Sequence, residues 1–273
     1  MRKFIKDYLA KEYDNYVKDL EALTNIDSGN GDLEGTEAAN KFVAAKMQAL
    51  GAETEFRYND RGCHLISRLK GKGTQTVLLV AHVDTVFKRG EAANRPFRVD
   101  ENGFAWGPGV GDDKATVMEV IYGLAALKEA GFNDYKEIIY YTNAEEEGGS
   151  PTAEGIVAEL SQQADFAVIM DVARPNWGIV TQRKGNAKYK ITVTGKGGHH
   201  GNASQCCANA IHQLAYTITE LHKLASPMPG KPEDFTAKAL EARGIVDSGQ
   251  FIPPNTVNVG VIGSTNDKIS VIP

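Results

Sequence analysis

Three apolar runs and one glycine-rich run in this chain lead straight into acidic residues or a histidine, and that pattern restricts the fold more than any other feature. Val77-Leu78-Leu79-Val80-Ala81 delivers His82-Val83-Asp84, and Gly107-Pro108-Gly109-Val110-Gly111 delivers Asp112-Asp113-Lys114. Ile138-Ile139-Tyr140-Tyr141-Thr142 leads to Glu145-Glu146-Glu147, and Phe166-Ala167-Val168-Ile169-Met170 delivers Asp171. A strand that finishes in a ligand-type side chain, repeated along one sheet, is how an α/β protein assembles a metal site at its strand ends.

The remaining pattern agrees with such a sheet. Residues 2–24 carry apolar side chains at helical spacing (Phe4, Ile5, Leu9, Tyr13, Tyr16, Val17, Leu20, Leu23) and predict an amphipathic helix. Thr36 is placed to cap a second helix running through Leu50, which Gly51 stops. Strands are expected near 53–57, 64–70, 76–82, 137–143 and 166–171, with helices at 114–130 and 151–160. This alternation predicts an α/β fold, a mixed and mainly parallel sheet flanked by helices. The texture changes near Lys184-Gly185: an alternating strand at 188–194, a long helix near 205–224 and a strand at 258–263 read as a smaller α+β unit. Two domains are therefore expected, 1–184 and 185–273.

Composition narrows the function classes. With 273 residues, a net charge of −5 and scattered Lys and Arg, the chain carries no nucleic-acid footprint. The N-terminus lacks an apolar signal core and no apolar stretch approaches bilayer length, so a cytoplasmic protein without membrane contact is expected. Cys63 stands alone and Cys206-Cys207 are adjacent and poorly suited to pair, which predicts reduced thiols.

Each motif has a plain and a chemical reading. His82 and Asp84 lie two apart, hence on one face of a strand; they form either a satisfied strand-end histidine or a zinc ligand with a carboxylate behind it. Asp112-Asp113 is an acidic turn or an acidic stretch that glycines let approach a site closely, and it fits neither nucleotide-binding fingerprint. The Glu145-Glu146-Glu147 run is a solvated helix start or a strand-end turn in which one glutamate binds metal and another handles protons. Asp171 meets solvent at the sheet rim or meets a cation. His199-His200 is a flexible turn or part of a site on the second unit.

Taken together, Ala81-His82-Val83-Asp84-Thr85-Val86, Gly107 through Lys114, Glu145-Glu146-Glu147-Gly148-Gly149-Ser150, Asp171 and Gly198-His199-His200-Gly201 resemble the zinc-dependent peptidases and deacylases that include glutamate carboxypeptidase, acetylornithine deacetylase, succinyl-diaminopimelate desuccinylase and aminoacylase. The stretch from Phe97-Arg98-Val99 to Asp112-Asp113-Lys114 looks closest to the glutamate carboxypeptidase branch. The resemblance implies a catalytic domain with a smaller ferredoxin-like lid that also mediates dimerisation. It implies two zincs per subunit, with cobalt or manganese as substitutes. His82 and Asp171 would bind one zinc, Glu147 the other, and Asp112 would bridge them through a residue pair joined by a cis peptide. Asp84 would orient His82, Glu146 would be the general base, and His199 on the lid would help hold the oxyanion, in dimers reaching the partner's site. The substrate would be a small peptide or an N-acyl amino acid.

Family members also carry a further C-terminal segment that supplies the last zinc-binding histidine and more strands. The chain is expected to lack it, ending at 269–273 where the family's lid still has strands to add; His212 and His222, on the lid helix, are no obvious substitute for that histidine, and Ser270 stands where the family commonly has a substrate-contacting asparagine. One zinc would then be short of a ligand, and an edge of the sheet would be exposed. The alternative to a hydrolase is a shortened, catalytically weak homologue acting in binding or dimerisation. A magnesium phosphohydrolase fits less well, since an imidazole suits zinc better than magnesium.

Overall fold

The computed structural model describes residues 1–172, 185–202, 207–225, 246–247, 250–251, 256–264 and 271–272. The chain divides into two compact units, Met1–Ile179 and Val180–Pro273. No described helix is long and apolar enough to cross a membrane.

The first unit begins with two helices, α1 (Arg2–Thr24) and α2 (Leu33–Ala49). α2 starts four residues before the position expected from a cap at Thr36. Asp32 is its cap, with Oδ1 accepting from Gly35 N at 3.0 Å. Thr36 lies inside the first turn, where its hydroxyl donates to Asp32 O at 2.9 Å and accepts from Cys63 N at 3.2 Å. Both residue types cap helices; here Arg89 also donates to the second carboxylate oxygen of Asp32, and the Thr36 hydroxyl is engaged within the turn. Replacing Asp32 with Ala should lower stability by about 1 kcal/mol, a cost that urea unfolding will register.

Strands β1 (Glu53–Tyr58), β2 (Cys63–Lys70) and β3 (Thr76–His82) follow. A short helix α3 (Glu91–Asn94) and a two-stranded hairpin, β4 (Arg98–Val99) with β5 (Ala105–Trp106), lead to α4 (Ala115–Glu129). Next come β6 (Glu137–Asn143), α5 (Ala153–Ser161) and β7 (Phe166–Ile169). The main sheet has the order β1-β2-β6-β3-β7. β3 runs parallel to β6 and β7, whereas β2 is antiparallel to β1 and β6. The sheet is mixed, and its parallel half sets the chemistry: β3, β6 and β7 all finish on one edge. The register sets His82 opposite Asn143, so the end of β3 is level with the start of the glutamate turn.

Period-two alternation divides β6 between two cores. Tyr140 packs with Leu20, Leu23, Val43, Met47, Val117 and Met118 of the α1, α2 and α4 layer. Ile139 and Tyr141 face the other way, toward Ala153 and Leu160 of α5. Every residue of β6 is buried, as expected for a central strand covered on both faces. β7 ends the sheet order, and all four of its residues are exposed.

In the second unit, β8 (Gly198–His199) pairs antiparallel with a strand at Val271–Ile272. Between them lie α6 (Ala210–His222) and a short pair formed by β9 (Val246–Asp247) and β10 (Gln250–Phe251); the strand at 271–272 is β11. Asn209 caps α6 by accepting from His212 N at 2.9 Å, which fixes its start at Ala210 rather than near 205. The strands expected at 188–194 and 258–263 are not formed. An alternating segment becomes a strand only where a ladder partner meets it, and among the described residues neither segment has one. Cys63 is a free, buried thiol, but Cys207 is disulfide-bonded, where a reduced thiol was expected; adjacency in sequence does not settle a thiol's partner. Cys206 and Ser270 lie outside the described residues.

Candidate metal centre

The C-terminal edge of β3, β6 and β7 gathers the acidic motifs. His82, the last residue of β3, is buried, and its backbone N–H donates to Asp113 Oδ2 at 3.1 Å. Its Nδ1 lies 3.1 Å from the backbone oxygen of Asp84 and 3.5 Å from Asp84 Oδ1. That arrangement commits the Nδ1 proton to Asp84 and turns Nε2 outward, 3.0 Å from Asp112 Oδ1. Asp112 sits in the irregular turn Val110–Lys114, and the Asp112-Asp113 peptide is cis, as the family resemblance implied. Gly109 enters that turn at φ 70°, and a Cβ there would come within 2.4 Å of Thr85 Cγ2, so the position requires glycine twice over. Asp171 follows β7. One ligand atom each from His82, Asp112 and Asp171 lie within 4.8 Å of one another.

Behind the turn, Lys114 is buried and donates to Ile26 O at 2.7 Å, tying the turn to the end of α1. Burial pulls its ammonium down to about 8, with Asp27 opposing.

The three glutamates divide by environment. Glu145 is fully buried, and its Oε1 accepts from Thr152 N (2.6 Å), Thr152 Oγ1 (2.7 Å) and Ala153 N (2.6 Å) at the start of α5. It is a structural cap and is unavailable to a ligand. Glu146 is exposed and Glu147 half-buried. Their backbone N–H groups donate to Asp84 Oδ1 at 2.9 Å and Asp84 Oδ2 at 3.0 Å. Asp84 therefore holds the glutamate turn as well as the imidazole. Glu147 stands outside the three-residue group of His82, Asp112 and Asp171, although it feels the charge of Asp112. His199 lies in the second unit, exposed, with Nδ1 accepting from Gly201 N at 3.1 Å.

The electrostatics describe a centre short of positive charge. Burial raises the Glu146 carboxyl; His82 opposes, and Asp171, Asp84 and Asp112 add to the rise. Glu147 is raised by burial and by Asp112, against His82. Burial pushes Asp113 up to about 7 despite Thr116 and His82. Burial works against a charge on His82, yet its hydrogen bond to Asp84 and the fields of Asp113, Asp84 and Glu146 push it up to about 10. With these side chains alone, a second proton on the imidazole, at Nε2 toward Asp112, partly meets the demand for positive charge. A divalent cation meets it better, and one imidazole among carboxylates is a donor set suited to zinc-like ions.

The raised Asp113 carboxyl makes a signed prediction. A carboxyl whose pKa moves from 3.8 to about 7 on folding binds its proton more tightly in the folded chain, so its destabilising effect is absent below 3.8 and grows to completion as pH rises through 7. Asp113→Asn cannot show this loss. In the presence of chelator, urea unfolding of the two forms should give similar stabilities at the acid end and a growing advantage for the variant toward neutrality. Parallel profiles would contradict the assignment.

Sequence reasoning gave Asp113 no role of its own and did not single out Asn30. Asn30 Nδ2 donates to Asp84 Oδ2 at 2.9 Å.

Comparison with known proteins agrees with this geometry. Residues 78–260 match Peptidase family M20/M25/M40. Carboxypeptidase G2 of Pseudomonas sp. (strain RS-16) is 34% identical over 200 residues, covering 71% of this chain and 48% of that protein. Acetylornithine deacetylase of Aliivibrio salmonicida is 27% identical over 196 residues, covering 70% of this chain and 50% of that one. The chain thus spans about half the length of these curated relatives. Among solved structures, the di-peptidase Dug1p from Saccharomyces cerevisiae shares the fold with a TM-score of 0.63 at 15% identity, covering 99% of this chain and 69% of that one. The family match takes in His82, the Asp112 turn, the glutamate turn and Asp171, and on it the chain belongs to Peptidase family M20/M25/M40.

Proposed function

We propose that this protein is a zinc-dependent hydrolase that cleaves the amide bond of a small peptide or an N-acyl amino acid, in the manner of a carboxypeptidase or deacylase. The convergence of His82, Asp112 and Asp171 beside Glu146 at the strand-end edge carries this reading. The names of the relatives, a carboxypeptidase and a deacetylase, support the substrate class.

His82, Asp112 and Asp171 would hold one zinc, and Glu147 together with Asp112 would hold a second. Bound there, zinc supplies Lewis acidity that makes a water acidic enough to attack near neutral pH. Asp84 keeps the Nδ1 proton of His82 in place, so Nε2 presents its lone pair. Glu146 is the general base. Its carboxyl, raised by burial and neighbouring carboxylates, takes a proton from water as the oxygen attacks the carbonyl carbon. The same proton passes to the leaving nitrogen as the C–N bond breaks, which returns Glu146 to its carboxylate form. His199 steadies the oxyanion from the second unit, in a homodimer from the partner's copy, and the enzyme works in the cytoplasm.

Elemental analysis after dialysis against zinc, joined to hydrolysis of a panel of N-acyl amino acids and dipeptides, tests the reading. Retained zinc with turnover supports it. Loss of zinc together with no hydrolysis would overturn it in favour of a binding or dimerisation protein.

A further inference from the structure

The two oxygens of Asp84 face four donor groups, as many as a carboxylate has acceptor positions. Oδ1 faces His82 Nδ1 and the N–H of Glu146; Oδ2 faces the N–H of Glu147. The remaining donor to Oδ2 comes from Asn30, whose side-chain amide reaches it at 2.9 Å from a residue 54 positions earlier. We infer that Asn30 is a positioning residue for the hydrolytic reaction: it fixes the Asp84 carboxylate in the one orientation that presents Glu146 and Glu147 toward His82.

Two independent features support this assignment. The loop bearing Asn30 is fastened to the chain just past β3. Asn30 N donates to Thr85 O at 2.8 Å, Thr85 N to Ser28 O at 2.9 Å, and Ser28 Oγ to the buried Val83 O at 2.7 Å. Gly29 lies so close that a Cβ would come within 2.2 Å of Phe87 O. Asn30 therefore projects from a fixed base rather than from a free loop. Its amide also packs against the glutamate turn itself: a Cβ on Gly148 would lie 2.6 Å from Asn30 Oδ1 and 2.8 Å from Nδ2. The φ of Gly148 is not in the left-handed region, so what a side chain there would meet is the Asn30 amide and not a backbone barrier. Asn30 thus touches the turn directly and grips it again through Asp84.

The inference rests on the hydrolase reading for its catalytic consequence, but the clamp itself can be read without turnover. Asn30→Ala removes the donor. Asn30→Asp keeps the shape and replaces the donor with a second carboxylate beside Asp84. The full chain and both variants are compared by amide hydrogen exchange at Glu146 and Glu147, by zinc titration and by steady-state kinetics, with circular dichroism confirming the fold. Both variants should exchange those two amides faster, Asp more than Ala. Zinc affinity or kcat should fall about 10–100-fold with KM little changed, the range typical of an outer partner of a metal site. Unchanged exchange in both variants, or an Asp variant equal to the wild type, overturns the inference, since shape alone would then suffice. If the wild type retains no zinc and hydrolyses nothing while exchange follows the expected order, the hydrolase reading fails and the clamp stands.

Discussion

Glu146→Gln should lower turnover of an N-acyl amino acid or dipeptide by about 100- to 10,000-fold, the range by which positioned proton transfer accelerates such reactions. Zinc affinity should stay close to that of the wild type. The two halves of this expectation have separate structural origins. The carboxyl of Glu146 is raised by partial burial and by neighbouring carboxylates, as a proton carrier requires. Its backbone, by contrast, is what joins it to the rest of the site, through the N–H donated to Asp84. An amide side chain keeps that bond and loses only the proton acceptor. Kinetics on the zinc-loaded variant, with isothermal titration of zinc into the metal-free form, separates the two. A variant that turns over normally would remove Glu146 from the mechanism; one that loses zinc as well would make it a ligand.

The second large effect belongs to His82. Replacing it with Ala should weaken zinc binding by more than the roughly 10–100-fold that loss of an outer hydrogen-bonding partner causes. His82 is the imidazole within the His82, Asp112 and Asp171 group, and in the metal-free chain its protonated form opposes the charge of the surrounding carboxylates. Without it, Asp84 faces the turn amides with no imidazole opposite, and Asp113 and Glu146 lose an opposing charge. Visible spectra of the cobalt-substituted protein report the same loss through the coordination environment. A variant that still fills with zinc to wild-type stoichiometry and affinity would place the metal elsewhere.

Much of this arrangement could be read from the residues, because strand ends announce themselves. Val77–Ala81, Ile138–Thr142 and Phe166–Met170 are apolar runs of strand length, and each stops where chemistry begins. What escaped was decided by partners distant in the chain. Asp32 and Thr36 are both cap residues, and their distant partners differ: Arg89, 57 positions away, meets the Asp32 carboxylate, while the N–H of Cys63 meets the Thr36 hydroxyl. Three consecutive glutamates look alike in a sequence. Thr152 and Ala153 at the entry to α5, seven and eight residues on, claim Glu145 and not Glu146 or Glu147. Asn30 sits in a loop whose composition says only that it turns. In the second unit, the alternation at 188–194 describes a strand's side chains but supplies no neighbour to pair with.

Asp84 grasps main chain at positions 146 and 147, and main chain is common to every amino acid except proline. The scaffold is therefore indifferent to what those two residues carry. New functional groups, acidic, thiol or imidazole, can be installed at either position as interchangeable heads on a fixed socket, which makes this bend the natural starting point for redesigning the chemistry without rebuilding the fold.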